Sequence, residues 1–386
     1  MTAPRVLIVL GTEAAWSRGI LRGFMEVAHE RDWTMLYYHP GSNLNWVADE
    51  WAPAAVVFGP DLAAETIARL ASAALVSVTV DRSASRIASV CLDEEGIAGL
   101  ALEHLLTRGF RHVSTFRYDE SPFAVAREHA FIEQARAAGA GVAPGWGNEG
   151  YAATERYERP AAMVAWLRSL PKPCGVFTFT DGWGHTVVRY AREAGLRVPE
   201  DIAVVGADND VLECELLSPP LSSVMIPWKD VGRHAATLVR LALANQPIAG
   251  RRVVVSPIAV AARRSSDVLA IDDAIVAEAV SWIREHADRR LTVTMVARAV
   301  GGGRQRLERR FRRALDRTIQ HEIRRAHVES AKHWLATTRS SMTEVAKRSG
   351  FTTASLLNVA FRRELGIAPG AYRRQVQKQL DNPDDD

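Results

Sequence analysis

The stretch Ile202-Ala203-Val204-Val205-Gly206-Ala207-Asp208-Asn209-Asp210 decides the fold class. Residues 202–206 carry no polar side chain, so neither side of the run suits water. A strand buried on both faces belongs to a parallel sheet covered by helices. The polar step at Asp208 marks its carboxyl end, where open α/β sheets bind ligands. Outward from here the same unit recurs. Short β-rich runs at 6–10, 34–38, 54–58, 75–80, 112–116 and 176–180 alternate with amphipathic helical stretches. These helices are expected at 19–30, 96–108, 123–138, 160–170, 186–194 and 230–244. The βαβ rhythm predicts doubly wound sheets. Residues 1–265 are too many for one such sheet, so two similar lobes with a cleft between them are expected.

The whole chain has 386 residues, 47% hydrophobic and 24% charged, a soluble globular composition. Cys91, Cys174 and Cys214 share no CxxC spacing, which argues against a disulfide framework or structural zinc and fits a reducing cytoplasm. No apolar run approaches the ~18 residues of a membrane span. The early run Val6-Leu7-Ile8-Val9-Leu10 reads as a strand and not as a signal peptide. The net charge of +3 conceals an asymmetry. Residues 1–270 hold 26 basic and 30 acidic groups, whereas 281–380 hold 22 basic and 8 acidic. A basic segment on a mildly acidic body predicts a polyanion-binding module.

That segment follows Arg263-Arg264-Ser265-Ser266-Asp267 and a short link over 266–272. Residues 273–376 read as helical throughout, and an acidic tail over 377–386 is expected to be disordered. The helical part contains a repeat. Ala297, Gly301 and Leu307 are spaced four and six apart, and so are Ala346, Gly350 and Leu356. A small Ala lets two helices cross closely, and Gly permits the turn between them. Beyond the turn, Leu307, Phe311, Arg312, Arg313 and Leu315 recur as Leu357, Phe361, Arg362, Arg363 and Leu365. This predicts two helix-turn-helix units joined by a helix at 319–337. The second helix of the first unit would turn Arg304, Arg306, Arg309, Arg310 and Arg313 to a major groove. Its counterpart would present Thr353, Ser355 and Asn358 early and Arg362 and Arg363 late. The plainer reading of any one of these arginines is a solvated helix face.

In the acidic body, polar groups collect at predicted strand ends. Asp208 follows the run at 202–206, Asp181 follows Thr180 and the run at 176–180, and Arg127 opens a helix after 112–116. Asp93 begins another helix, and Trp16 and Trp183 sit in the equivalent loops. Carboxylates and a guanidinium give bidentate hydrogen bonds, and aromatic faces cover C–H surface, which together suit a polyol. Helix caps for Asp93 and Asp181, and core packing for the tryptophans, are the alternative roles.

Residues 273–374 resemble the AraC/XylS family of DNA-binding domains, from Ser281-Trp282-Ile283 to Pro369-Gly370-Ala371-Tyr372-Arg373-Arg374. Gly350-Phe351, Ser355 and Phe361-Arg362-Arg363 carry that signature. Gly302 and Gly303 replace the usual apolar residue and capping Ser, at a cost of about 1 kcal/mol or more of helix order. Leu357 replaces a usual Phe. The body resembles the LacI/GalR effector-binding domain, itself like periplasmic sugar-binding proteins. Asp93-Glu94-Glu95-Gly96, Gly109-Phe110-Arg111-His112, Thr180-Asp181, Val205-Gly206-Ala207-Asp208-Asn209 and Leu221-Ser222-Ser223-Val224 carry the likeness. Gly184 departs from that family's usual Met-Ala step. The resemblance implies that Arg127, Thr180, Asp181 and Asp208 reach a sugar.

A sugar sensor ahead of an AraC-type reader is similar to the xylose-operon regulators of bacteria. The implied fold is α/β, a two-lobed periplasmic-binding-protein-like domain followed by an all-α tandem helix-turn-helix domain. The implied function is a cytoplasmic activator of sugar catabolism genes, with D-xylose or a similar pentose as effector. Its expected partners are double-stranded DNA, a second copy of the chain and RNA polymerase, with no membrane and no cofactor. An α/β sugar-processing enzyme with a helical appendage would need a paired acid and base or a phosphate loop. Gly11, Gly19 and Gly23 do not fit GxGxxG, and neither HExxH nor GxSxG occurs. A constitutive DNA-binding protein with a body that only dimerises is the third reading.

Overall fold

The computed structural model describes residues 3–44, 46–79, 81, 87–147, 160–267, 273–315 and 317–380. Most of the expected link at 266–272 and the end of the acidic tail at 381–386 lie outside them.

The first lobe is built from β1 (Arg5–Val9), α1 (Ala15–Ala28), β2 (Thr34–Tyr38), β3 (Ala55–Phe58), α2 (Ala64–Arg69), β4 (Ala74–Val78) and β5 (Ala88–Leu92). The chain then crosses into a second lobe. Its elements are α3 (Glu94–Thr107), β6 (His112–Phe116), α4 (Pro122–Ala137), β7 (Gly141–Val142), α5 (Pro160–Ser169), β8 (Cys174–Thr178), α6 (Asp181–Glu193), β9 (Ile202–Asp208), α7 (Val211–Leu216) and β10 (Ser222–Met225). It returns through α8 (Trp228–Leu243) to β11 (Arg252–Val255) in the first lobe, then crosses once more to β12 (Ala259–Ala261).

Two six-stranded sheets result, ordered β11-β5-β4-β3-β1-β2 and β12-β10-β9-β8-β6-β7. Every pairing is parallel except β10 with β12. The both-faced apolar runs are buried at every residue in β3, β5 and β8, as helices on both sides of a sheet require. Three segments therefore connect the lobes: around Asp93, around Ile226-Pro227, and at 256–258. Two of them are tied together. The Asp93 N–H donates to the Val255 carbonyl (3.0 Å), and the Ser256 hydroxyl donates to the Asp93 carboxylate (3.1 Å). The third segment is anchored where α8 meets α1. A Cβ at Gly23 would stand 1.9 Å from the Lys229 carbonyl oxygen, and one at Gly232 would stand 2.0 Å from that of Ile20. No larger residue permits this crossing.

The tail is helical: α9 (Ala274–Glu285), α10 (Val293–Ala299), α11 (Arg304–Leu315), α12 (Ile319–Thr337), α13 (Met342–Arg348), α14 (Ala354–Leu365) and α15 (Pro369–Leu380). The last helix thus continues past 376 into the stretch read as tail. Two cores form, one over α9–α11 and one over α12–α15, and both include α12 residues. The module docks on the second lobe. Ala259, with Met225 and Ile258, joins the core around Val328, Ala331 and Leu335. Arg317 Nη2 donates to the Thr107 carbonyl (2.7 Å), and Arg111 donates to the carbonyl of Ala314.

Several sequence expectations shift. The run at 176–180 pairs over Cys174–Thr178, so Phe179 and Thr180 form the loop after β8. Helices expected at 19–30 and 186–194 begin earlier, at Ala15 and Asp181. Strands β5 and β10 escaped the reading because Ser89, Cys91, Ser222 and Ser223 interrupt their apolar pattern. In β10 the polarity is satisfied inside: Ser222 Oγ donates to the Arg263 carbonyl (2.8 Å), and Ser223 Oγ accepts from the Asn209 N–H (3.0 Å).

Candidate functional site

The carboxyl ends of β6, β8 and β9 place Arg127, Asp181 and Asp208 in one neighbourhood of the second lobe. Arg127 does not open its helix as the sequence suggested. Pro122 pre-sets the first turn of α4, and Arg127 lies one turn further in, 2% exposed. Its Nε pairs with the Glu94 carboxylate, and its Nη1 donates to the Phe179 carbonyl (2.5 Å). Its guanidinium stands 5.0 Å over the Phe123 ring. Glu94 is the first residue of α3, directly after an inter-lobe crossing, so Arg127 ties α4 to that crossing.

Asp208 ends β9 with φ +109°, a left-handed conformation that a non-glycine residue holds only under constraint. Its neighbour Asn209 is also left-handed, at φ +56°. Burial pushes the Asp208 carboxyl well above its usual range, and the nearby Asp181 adds to this while Arg127 opposes it. Asp181 is fully buried, and burial raises it to about 7. Its Oδ2 accepts from the Asp210 N–H (2.8 Å), while Oδ1 has no partner among the described residues. The carboxylates and guanidinium named from the sequence are thus electrostatic neighbours.

The other candidates have structural duties. Asp93 caps α3 by accepting from the Gly96 N–H (2.9 Å), one of the alternatives held for it. The cap of α6 is Thr180, whose Oγ1 accepts from the Trp183 N–H (3.3 Å), so Asp181 is not the cap. Trp16 and Trp183 sit in the first turns of α1 and α6 and not in loops. Trp183 closes an aromatic wall around Arg127, stacked on Phe123 at 6.2 Å and set edge-on to Tyr118 and Phe179. Trp16 packs at 5.9 Å on Trp228, the first residue after the second crossing, and the Trp228 indole N–H is buried without a partner. Glu94, Phe123 and Trp228 were missed. None stands at a predicted strand end, and only the fold brings them to the others.

The basic module shows the repeat in three dimensions. Gly301 and Gly350 hold φ +65° and +75°. The next residues repeat one turn bond: the Gly302 N–H reaches the Ala297 carbonyl at 2.9 Å, and the Phe351 N–H reaches that of Ala346 at 2.8 Å. The paired leucine is Leu357 and not Leu356, which is 52% exposed. Counted from the cap residue the units agree, since Leu307 follows Gly303 by four and Leu357 follows Thr353 by four. Thr353 Oγ1 caps α14 (3.2 Å to the Leu356 N–H), whereas Gly303 has no side chain to do the same for α11.

Arg304, Arg306, Arg309, Arg313, Arg362 and Arg363 are exposed on α11 and α14, as are Thr353 and Ser355, with Asn358 half-buried. Arg310 departs from the expectation. Its Nε and Nη2 donate to both oxygens of Asp273 (2.7 and 2.6 Å), which fastens α11 to the start of α9. Leu356 and Val359 (64% exposed) lie one turn apart on α14, apolar groups of the kind that meet thymine methyls, and the charge-based reading passed over them.

Residues 102–266 match the periplasmic binding protein-like domain, and residues 296–375 match a helix-turn-helix domain. The xylose operon regulatory protein of Haemophilus influenzae is 27% identical over 289 residues, 74% of this chain and 74% of that one. Its Escherichia coli counterpart is 28% identical over 288 residues, 74% and 73% of the two chains. The chain has the domain architecture of the xylose operon regulators. A solved structure described as the xylose-binding transcription activator xylR superposes with a TM-score of 0.59 at 24% identity, covering 96% of this chain and 97% of that one. That likeness spans both the two-lobed α/β body and the helical tail, and it is a likeness of fold. Among the described residues no helix is long and apolar enough to cross a membrane.

Proposed function

We propose that the chain is a transcription regulator switched by a small sugar, D-xylose or a close pentose, that acts as an activator on DNA. The observation that carries this reading is the meeting of buried Arg127 and Asp181 with half-buried Asp208, beside the crossing between the lobes of a body docked to an arginine-faced reader. Asp208 accepts sugar hydroxyls, Arg127 donates to them, and Asp181 and Thr180 shape the same wall. Trp16 and Trp183 cover the apolar side of the ring. Closure of the lobes changes how the reader is presented. A sugar shifts that balance only by binding the closed form better than the open one. The pentose and the activating sign are carried over from the xylose operon regulatory proteins and the xylose-binding activator to which the chain is similar. The protein works in the cytoplasm as a homodimer on two half-sites, the arrangement that helix-turn-helix symmetry favours, and presents the bound sugar state to RNA polymerase.

Calorimetric titration with xylose, arabinose, ribose and glucose tests the effector. Asp208→Asn and Arg127→Ala should each abolish heat of binding while operator affinity stays within a few-fold of wild type. Wild-type titration curves in both variants would remove these residues from the site. A protein that binds the operator but gives no heat with any of the four sugars would leave the constitutive reading in place.

A further inference from the structure

Where the reader docks on the body, a crevice of about 490 Å³ opens between α3, β12, α9 and α12. We propose that it is a second ligand site, taking a small organic oxyanion that carries phosphate or several carboxylates. Its volume falls in the ~300–1,000 Å³ of small-molecule sites and admits no duplex.

Three guanidiniums line it: Arg108 from α3, Arg284 from α9 and Arg325 from α12. Each comes from a different element, and together they are incompletely neutralised. Arg108 Nη1 is held by His104, at 3.1 Å from Nδ1 and 3.3 Å from the carbonyl oxygen. Its Nε is buried and has no partner. No carboxylate among the described residues pairs with Arg284. Arg325 Nη2 reaches Glu103 only at 4.0 Å, and that carboxylate is largely in solvent. Burial, reinforced by Arg284, lowers Arg108 to about 10 against the pull of Glu329 and Asp267, and burial likewise lowers Arg284, opposed by Glu322 and Asp267 and aided by Arg325. His104 is buried and held neutral, so it adds no charge of its own.

The acids of the crevice do not fill this need. Glu322 is engaged by Arg317 (2.7 Å) and Glu329 by Lys332 (2.9 Å). Asp267 offsets part of the charge from an exposed position, and Glu285 and Asp288 are exposed at the mouth. A half-buried cluster of like charge is costly until a counter-charge with fitting acceptors arrives. The planar guanidinium fork matches the paired oxygens of phosphate and carboxylate. Such an anion would touch both the body and the reader, so its binding would fasten one to the other.

The test uses the full chain without DNA. Melting temperature is followed with inorganic phosphate and, separately, with citrate, each against sodium chloride of equal ionic strength. The expected result is a rise beyond that of chloride with at least one of them. Phosphate alone would mark a phosphate ester as the ligand, and citrate alone a polycarboxylate. Arg284→Gln and Arg325→Gln should each weaken the half-saturating concentration at least tenfold. Should Arg284→Gln fail to fold, the partly exposed Arg325→Gln decides alone. The double variant Arg306→Ala/Arg309→Ala, altered only on the DNA face, should respond as wild type does. A rise no greater than chloride's, a rise that survives in both crevice variants, or one lost in the DNA-face variant would overturn the proposal.

Discussion

Arg306 and Arg310 are both arginines on one helix, four residues apart, and the sequence treats them alike. Only the fold separates them, because Asp273 arrives from another element to take both nitrogens of Arg310. Arg306→Ala should weaken operator binding and reduce the salt slope by about 1, the loss of one phosphate contact. Arg310→Ala should instead lower the melting temperature of the reader, with a smaller effect on that slope. Fluorescence anisotropy across a salt series, set beside thermal unfolding, separates the two. The same scale holds a pH prediction. Burial raises Asp181 to about 7, above its ordinary 3.8, so the folded chain binds a proton that the unfolded chain releases first. Its contribution to stability is therefore present in full below pH 3.8 and is lost as pH rises toward 7 and beyond. Asp181→Asn, neutral at every pH, should be relatively more stable than wild type as pH climbs from 5 to 8. Parallel urea curves for the two proteins across that range would discard the assignment. That Arg127, Asp181 and Asp208 come together was legible because polar groups after the strands of an α/β sheet converge at one end of it. Glu94 was not, since its partner lies 33 positions away.

At the level of elements, strands with uninterrupted apolar runs could be read from sequence, and strands that bury serine could not. In β10 the burial of Ser222 depends on the Arg263 backbone, 41 residues on, which no local pattern reveals. Helix starts slipped for a related reason: α6 begins at a Thr cap that the apolar period does not mark. Caps also distinguish the two reading helices. Thr353 caps α14, whereas α11 starts from Gly303, where a Cβ would meet nothing within 4 Å and φ is not in the left-handed region. Gly303→Ser should therefore stabilise the reader by roughly 0.5–1 kcal/mol, from a hydroxyl for the first turn and a less flexible unfolded chain. Chemical denaturation of the full protein would register this as a later midpoint of the reader's transition. An unchanged midpoint would mean that α11 does not begin where Gly303 places it.

At the scale of the whole molecule, one line of hydrogen bonds runs from the Asp208-Asn209 corner to Arg108, which lines the crevice where the reader docks. Arg263 Nη2 donates to Asn209 Oδ1 (3.0 Å), directly after Asp208. The Arg263 carbonyl accepts from Ser222 Oγ (2.8 Å), which stands 2.7 Å from Ser266 Oγ. Ser266 Oγ lies 2.7 Å from His104 Nε2, and His104 Nδ1 faces Arg108 at 3.1 Å. The direction is fixed chemically. Arg108 can only donate, so Nδ1 accepts, the neutral ring carries its hydrogen on Nε2, and each hydroxyl passes its own hydrogen onward. Such a line transmits only if closure of the lobes gives it a second arrangement, as a strained Asp208-Asn209 corner allows. Ser266→Ala breaks this line at its middle without altering the proposed sugar or DNA contacts. The expected outcome is unchanged sugar affinity and unchanged DNA affinity of the free protein. The sugar-induced change in DNA affinity should shrink by about 0.5–2 kcal/mol of coupling. Measuring DNA affinity with and without xylose in both proteins gives that coupling directly. If the variant keeps the full wild-type change, the signal reaches the reader by another route, through the Met225, Ile258 and Ala259 contacts that also bind the two parts together.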